Sequence, residues 1–162
     1  MTPPAAKILI DLMQFNHEVI HLQLKDITHA ESLIQPLFRG NCMNWVIGHI
    51  LDVRQGWLDL LGLPGILSAG EQKKYGYGSE PITTADQACQ LDSLVSRLDE
   101  SLATLVGKLE SLTQADLDRE VEIWRGKLPL AQALSFFQWH EAYHTGQLEL
   151  LRQLAGKNDH VI

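Results

Sequence analysis

Four segments of this chain repeat their apolar residues every three or four positions, and almost nothing alternates with the period of two that a half-buried strand needs. That pattern constrains the fold most tightly. The first segment runs from about Pro4 to Leu24, with Ile8, Leu12, Phe15, Val19 and Leu22 on one predicted face. Thr2 before Pro3-Pro4 is a sound start, because proline is tolerated in a first turn. The second spans about Asn41 to Leu61, with Met43, Val46, Ile47, Ile50, Trp57 and Leu61 along a broad apolar side, and Gly62-Leu63-Pro64-Gly65 stops it. The third is expected to open at Thr83-Thr84, where Thr84 and Gln87 match a capping box. Leu91, Leu94, Leu98, Leu102, Leu105 and Leu109 carry it to about Ser111. At ~1.5 Å per residue that helix would be about 40 Å long. Pro129 opens the fourth, from about Leu130 to Ala155, and Gly156 ends it.

The connections are long. Residues 64–82 hold Gly65, Gly70, Gly76 and Gly78 with Tyr75 and Tyr77, and show no strong period. Such loops in compact domains are often functional. In residues 112–129, Val121, Ile123 and the turn signal Arg125-Gly126 offer a small hairpin, too short to count as a sheet. The expected fold is all-α: a four-helix bundle, one domain over residues 1–162, with long crossover connections after the second and third helices.

A chain of 162 residues can bury a substantial core without staples. The net charge of -7, with scattered Lys and Arg, argues against nucleic acid as the main partner. No apolar stretch approaches the roughly 18 residues of a membrane span. No signal peptide is read at the N-terminus, and Cys42 and Cys89 make no disulfide framework, so a cytoplasmic location is expected.

Chemistry concentrates in the fourth segment, at His140-Glu141-Ala142-Tyr143-His144-Thr145-Gly146-Gln147. Histidines at i and i+4 stack on one helix face, so both imidazoles can reach one metal ion. Phe136, Phe137, Leu148 and Leu151 flank them, which points that face inward. Two imidazoles buried together need partners, since an unpaired buried polar group costs about 1–3 kcal/mol. One ion satisfies both. His49, midway along the second helix near Trp45, Val53 and Gly56, is the best third ligand. His17 and His21 form a competing i,i+4 pair, but their neighbours Asp11, Gln14, Glu18 and Lys25 are polar or mixed. His29 is expected at a loop surface, and His160 in a solvated tail.

The same residues match His-Glu-x-x-His, the zinc hydrolase pattern in which the glutamate activates water. The extended form would need glycine at 147 and histidine at 150, where the chain has Gln147 and Leu150. No sheet is offered to bind a peptide as an added strand. A protease is therefore disfavoured.

Asn44-Trp45-Val46-Ile47-Gly48-His49-Ile50 resembles the first-histidine motif of the DinB-like metal-binding bundle superfamily, and His140 through Leu148 resembles its second, His-x-x-x-His followed by Gly-Gln. The resemblance covers nearly the whole chain. It implies a divalent metal on His49, His140 and His144, zinc or nickel first, with iron or manganese as alternatives. It also implies crossover connections and a homodimer. Members with known activity include transferases and isomerases that use low-molecular-weight thiols such as bacillithiol, mycothiol or glutathione.

A metal on three histidines keeps a position open. It can lower the pKa of bound water toward about 7, or hold a thiol as its reactive thiolate. Three readings follow: a thiol-dependent S-transferase acting on a small electrophile, a metal-dependent hydrolase, and a metal- or ligand-binding bundle without turnover. Asp52, one turn after His49, and Gln147, one turn after His144, are candidates for orienting an imidazole. Glu141 points away from the metal but stays a candidate general base. Trp45, Trp139 and Tyr143 are read as core or pocket walls. Gly48 and Gly146 suggest close helix approach, and Cys42 and Cys89 are read as structural.

Overall fold

The computed structural model describes residues 1–37 and 39–161. Along them run α1 (Pro4–Leu24), α2 (His29–Ser32), α3 (Met43–Leu61), α4 (Ala69–Tyr75), α5 (Leu91–Ser111), α6 (Gln114–Asp118), β1 (Glu120–Ile123), β2 (Gly126–Pro129) and α7 (Leu130–Leu154). The four long helices make the bundle. α1 packs on α5 and α7, and α3 packs on the same two, so α1 and α3 lie on opposite corners. None of the described helices is long and apolar enough to cross a membrane.

Side chains report the directions. Arg152, near the end of α7, donates to the carbonyls of Gln23 and Lys25 at the end of α1, so these helices run parallel. Asn44 at the start of α3 reaches the Cys89 carbonyl just before α5, and Arg54 further along reaches Leu98 and Ser101, so α3 and α5 are parallel too. Two consecutive parallel helices require the chain between them to travel the length of the bundle. Residues 62–90 make that crossover, and α4 sits within it.

The apolar core falls into two clusters. One gathers Met13, Trp57, Leu105 and Leu134 at one end, and the other gathers Ile20, Ile47, Ile50, Leu94 and Leu148 at the other. Between them, on each helix, lies a polar position: Asn16, Arg54, Ser101 and Glu141, all buried. Arg54 Nε and Nη2 donate to Glu141 Oε2 and Oε1, both at 2.9 Å. Its Nη1 donates to the Leu98 carbonyl at 2.8 Å and to Ser101 Oγ at 2.9 Å. One guanidinium thus ties α3, α5 and α7 together in the middle of the molecule.

The structure corrects several expectations. On α1 the core takes a second stripe, Ala6, Leu9, Ile10, Met13, Ile20 and Leu24, and of the predicted face only Val19 is buried. Ile8 and Phe15 are 58% and 63% exposed. The helix carries two apolar stripes, and periodicity alone does not say which one faces inward. α5 begins at Leu91, not near Thr83. Gln87 does accept from the Thr83 and Thr84 backbone N–H groups, but this caps only a turn. Asn44 and the Tyr75 hydroxyl then take the Cys89 carbonyl and N–H. Those backbone groups are thereby withheld from a helix. The hairpin does form, with Ile123 paired to Gly126 at its tip and Gly126 at φ +95°. The helices α2, α4 and α6 were not expected, although each opens with a capping box, at Thr28/Glu31, Ser68/Glu71 and Thr113/Asp116.

Truncating one member of a fully buried ion pair strands the other charge, which costs about 3–5 kcal/mol. Arg54→Met should lower unfolding free energy by about that amount in urea titrations, and Arg54→Met with Glu141→Leu should recover most of it. A single variant costing under about 1 kcal/mol would show that the pair is not desolvated.

Candidate metal centre

His49 sits on the inner side of α3, between the apolar positions Val46, Ile50 and Val53. Its Nδ1 donates to the Tyr75 carbonyl at 2.7 Å, which fixes the tautomer and leaves Nε2 with a free lone pair. The carbonyl can come so close because residue 48 is glycine. A Cβ on Gly48 would lie 2.2 Å from the Tyr75 ring. Tyr75 is itself anchored, since its hydroxyl donates to Asn44 Oδ1 at 3.0 Å and accepts from the Cys89 N–H at 2.9 Å. Trp45 stacks on the His49 ring, with centroids 4.7 Å apart and planes 19° from parallel.

α7 supplies the other two rings. His140 and His144 have centroids 4.5 Å apart, and each lies about edge-on to His49, at 5.2 and 4.8 Å. One ligand atom from each of the three rings lies within 4.8 Å of the others. His144 Nδ1 donates to Gln147 Oε1 at 2.8 Å, so its Nε2 is also free. Nδ1 of His140 is buried with no partner. Burial, and then the neighbouring imidazole, pushes His140 down to about 4. Burial likewise lowers His144 to about 4 and depresses His49. Three neutral imidazoles with converging lone pairs are the donor set that zinc, nickel or iron takes, so the residues fit a divalent transition metal.

The rings open on a cavity of about 530 Å³. Trp45, Trp139, Tyr143 and Leu151 give it apolar walls, and Arg39 lies on its rim. Trp139 and Tyr143 are more than half exposed, which makes them walls and not core. A larger cleft of about 840 Å³ lies along the crossover and shares Tyr77, Gly78 and Ser79 with the first, but none of the histidines line it.

The other expected residues fall elsewhere. Among the described residues, Asp52 makes no hydrogen bond to His49, because the Tyr75 carbonyl holds that position. Burial and Asp59 raise the Asp52 carboxyl instead. Glu141 is fully buried and held by both oxygens in the pair with Arg54, so it is not placed to act as a general base. His17 and His21 do not join the cluster and meet Asp99 of α5. His29 is half-buried, and its Nδ1 accepts from the Leu91 N–H at 3.3 Å. His160 is exposed. Cys42 is buried at the N-cap of α3, and Cys89 lies before α5 with Sγ 3.5 Å from Glu71 Oε1. A Cβ on Gly146 would meet nothing within 4 Å, so no helix approaches there. The sequence assigns no role to Arg54, and places Tyr75 only in the long connection. An arginine on the apolar side of a helix is a signal for the former, and nothing local marks the latter.

Two substitutions separate these roles. Gly48→Ala should displace Tyr75 and weaken zinc binding about 10–100-fold in chelator competition, as loss of an orienting partner does elsewhere. Gly146→Ala should leave zinc binding unchanged and stabilise the helix by up to about 1 kcal/mol. Equal zinc affinity in Gly48→Ala and wild type would show that the Tyr75 contact does not orient His49. The metal-free protein should also lose stability as pH falls. His140 and His144 titrate near 4 when folded and near 6.5 when unfolded, so the unfolded chain takes up protons first. The imidazoles' share of that loss should begin near pH 6.5 and be complete near pH 4, below which carboxylates such as Glu31 and Glu71, held down to about 2, continue it. A flat profile across that window in thermal melts would contradict the buried, neutral state of the rings.

Comparison with known proteins adds independent findings. The model of the DinB superfamily matches residues 12–148. The curated proteins return no match. Among solved structures, a conserved protein from Enterococcus faecalis aligns with a TM-score of 0.72 at 17% identity, covering 92% of this chain and 95% of that one. A point mutant of the mycothiol-dependent maleylpyruvate isomerase aligns with a TM-score of 0.67 at 16% identity, over 88% of this chain and 60% of that one. At such identities the likeness concerns the fold. The matched family model spans all three histidines, and the chain belongs to the DinB superfamily.

Proposed function

We propose that this protein is a divalent-metal-dependent enzyme that transfers a low-molecular-weight thiol to a small electrophile. The observation that carries this reading is the set of three neutral imidazoles, His49, His140 and His144, opening on a cavity with apolar walls. The thiol dependence draws support from the mycothiol-dependent isomerase among its structural neighbours. Zinc or nickel is the expected ion, with iron and manganese as alternatives. When bound, it would supply Lewis acidity that favours the thiolate over the thiol at neutral pH.

The chain's own residues do the rest. Tyr75 and Gln147 hold two of the rings in the orientation that presents Nε2. Trp45, Trp139 and Tyr143 exclude water from the apolar part of an electrophile. Arg39 is placed to meet an anionic group such as a thiol's carboxylate. In the transfer a carbon–sulfur bond forms, the leaving group departs with its electron pair, and the thiol proton passes to solvent. Glu141 is locked in its ion pair with Arg54, so it does not serve as the base of a His-Glu-x-x-His hydrolase.

We further propose a homodimer in a reducing, cytoplasmic setting. Both cysteines are free thiols. Ile8, Leu12, Phe15 and Leu22 leave a large apolar face of α1 exposed. A second copy of the chain would cover it.

Zinc- or nickel-loaded protein should turn over an aryl halide or epoxide only when mycothiol, bacillithiol or glutathione is added. Activity should fall at least about 100-fold in His49→Ala or after chelation. Turnover without thiol would point to a hydrolase, and none across a broad panel to a binding bundle. Either result contradicts the transfer reading. By light scattering the wild type should have twice the chain mass and Phe15→Glu the mass of one chain. A monomeric wild type would refute the dimer.

A further inference from the structure

A second constellation of ligand atoms lies across the bundle. His17 and His21 stand one turn apart on α1, and Asp99 faces them from α5. His17 Nε2 is 3.0 Å and His21 Nε2 2.7 Å from the same oxygen, Asp99 Oδ1. The pair repeats the geometry of the candidate centre. The His17 and His21 centroids are 4.6 Å apart with planes at 66°, against 4.5 Å and 65° for His140 and His144. Nδ1 of His17, like Nδ1 of His140, is buried without a partner.

We infer that His17, His21 and Asp99 form a second binding site for a divalent transition-metal ion, pinning α1 to α5. Two imidazoles and a carboxylate suit zinc, nickel or copper(II). Ligands about 2.0–2.1 Å from a tetrahedral ion lie roughly 3.3–3.4 Å from one another. To admit an ion, His17 Nε2 needs to back away from Asp99 Oδ1 by about 0.3–0.4 Å and His21 Nε2 by about 0.6–0.7 Å, which side-chain rotation supplies. The Asp99 side chain is 53% exposed, so solvent reaches the site and remaining positions can be filled by water. The ion would sit on the α1–α5 face, level with the buried Arg54–Glu141 pair and opposite the three-histidine cluster. Its occupancy would fasten the N-terminal helix whether or not the first centre is loaded.

Zinc titration against a competing chelator tests this on four proteins: wild type, His140→Ala, His21→Gln and Asp99→Asn. Wild type should bind a second, weaker equivalent. His21→Gln and Asp99→Asn should lose that equivalent, by at least about tenfold in affinity, and keep the first. His140→Ala should lose the first and keep the second. Zinc should still raise the melting temperature of His140→Ala, and adding Asp99→Asn should abolish the rise. Both altered positions are solvent-accessible, and circular dichroism checks that each variant folds. A single equivalent in wild type, or two equivalents of unchanged affinity in both His21→Gln and Asp99→Asn, would overturn the assignment.

Discussion

The pairing of Arg54 with Glu141 fixes how α3 and α7 meet, and the histidine cluster depends on that register. Glu141 follows His140 directly, and Arg54 lies five positions after His49 on the neighbouring antiparallel helix. When guanidinium and carboxylate engage by both oxygens, His49 is carried to the level of His140 and His144. A slip of one turn between the helices would strand both charges in the apolar interior. A buried ion pair adds little net stability over a well-packed apolar pair, but an unpaired buried charge is costly. The pair therefore acts mainly against alternative packings. Its level in the bundle, between two apolar clusters, is also where the polar chemistry gathers on both flanks.

The crossover does more than connect parallel helices. It returns the chain along α3 and delivers the Tyr75 carbonyl to His49 from 26 residues away. Gly48 makes the approach possible, and Asn44 with the Cys89 backbone holds the phenol. On α7 the orienting group is local, Gln147 three residues after His144. The two imidazoles thus have their tautomers set by different means, one tertiary and one within a single helix turn. Both leave Nε2 free, and burial keeps the rings neutral where an ion would need their lone pairs.

Much of this was legible in the sequence. Helical period and Gly or Pro punctuation located the four long helices, and the i,i+4 spacing put His140 and His144 on one face. Every residue of the expected α3 face, from Met43 to Leu61, is buried, and the helix also buries Leu51, Arg54 and Leu58 outside it. The expected α1 face, Val19 apart, is not, because that helix has two apolar stripes and its neighbours choose between them. Asp52 was a reasonable partner for His49 on helix geometry alone, yet a backbone carbonyl from α4 occupies that position. Asp99 could not have been tied to His17 and His21, since 78 residues separate it from His21 and only the bundle's packing brings them together. Three short helices went unread, although each opens with a capping box, because their segments show no helical period.

If this register assembles a metal centre from His49, His140 and His144, zinc added to the protein should settle among them. Crystals of the protein loaded with one equivalent of zinc, measured at the zinc absorption edge, test it most directly. The dominant anomalous peak should lie among those three rings, about 2.0–2.1 Å from a nitrogen of each. An empty cluster, with the zinc at other residues, would contradict it.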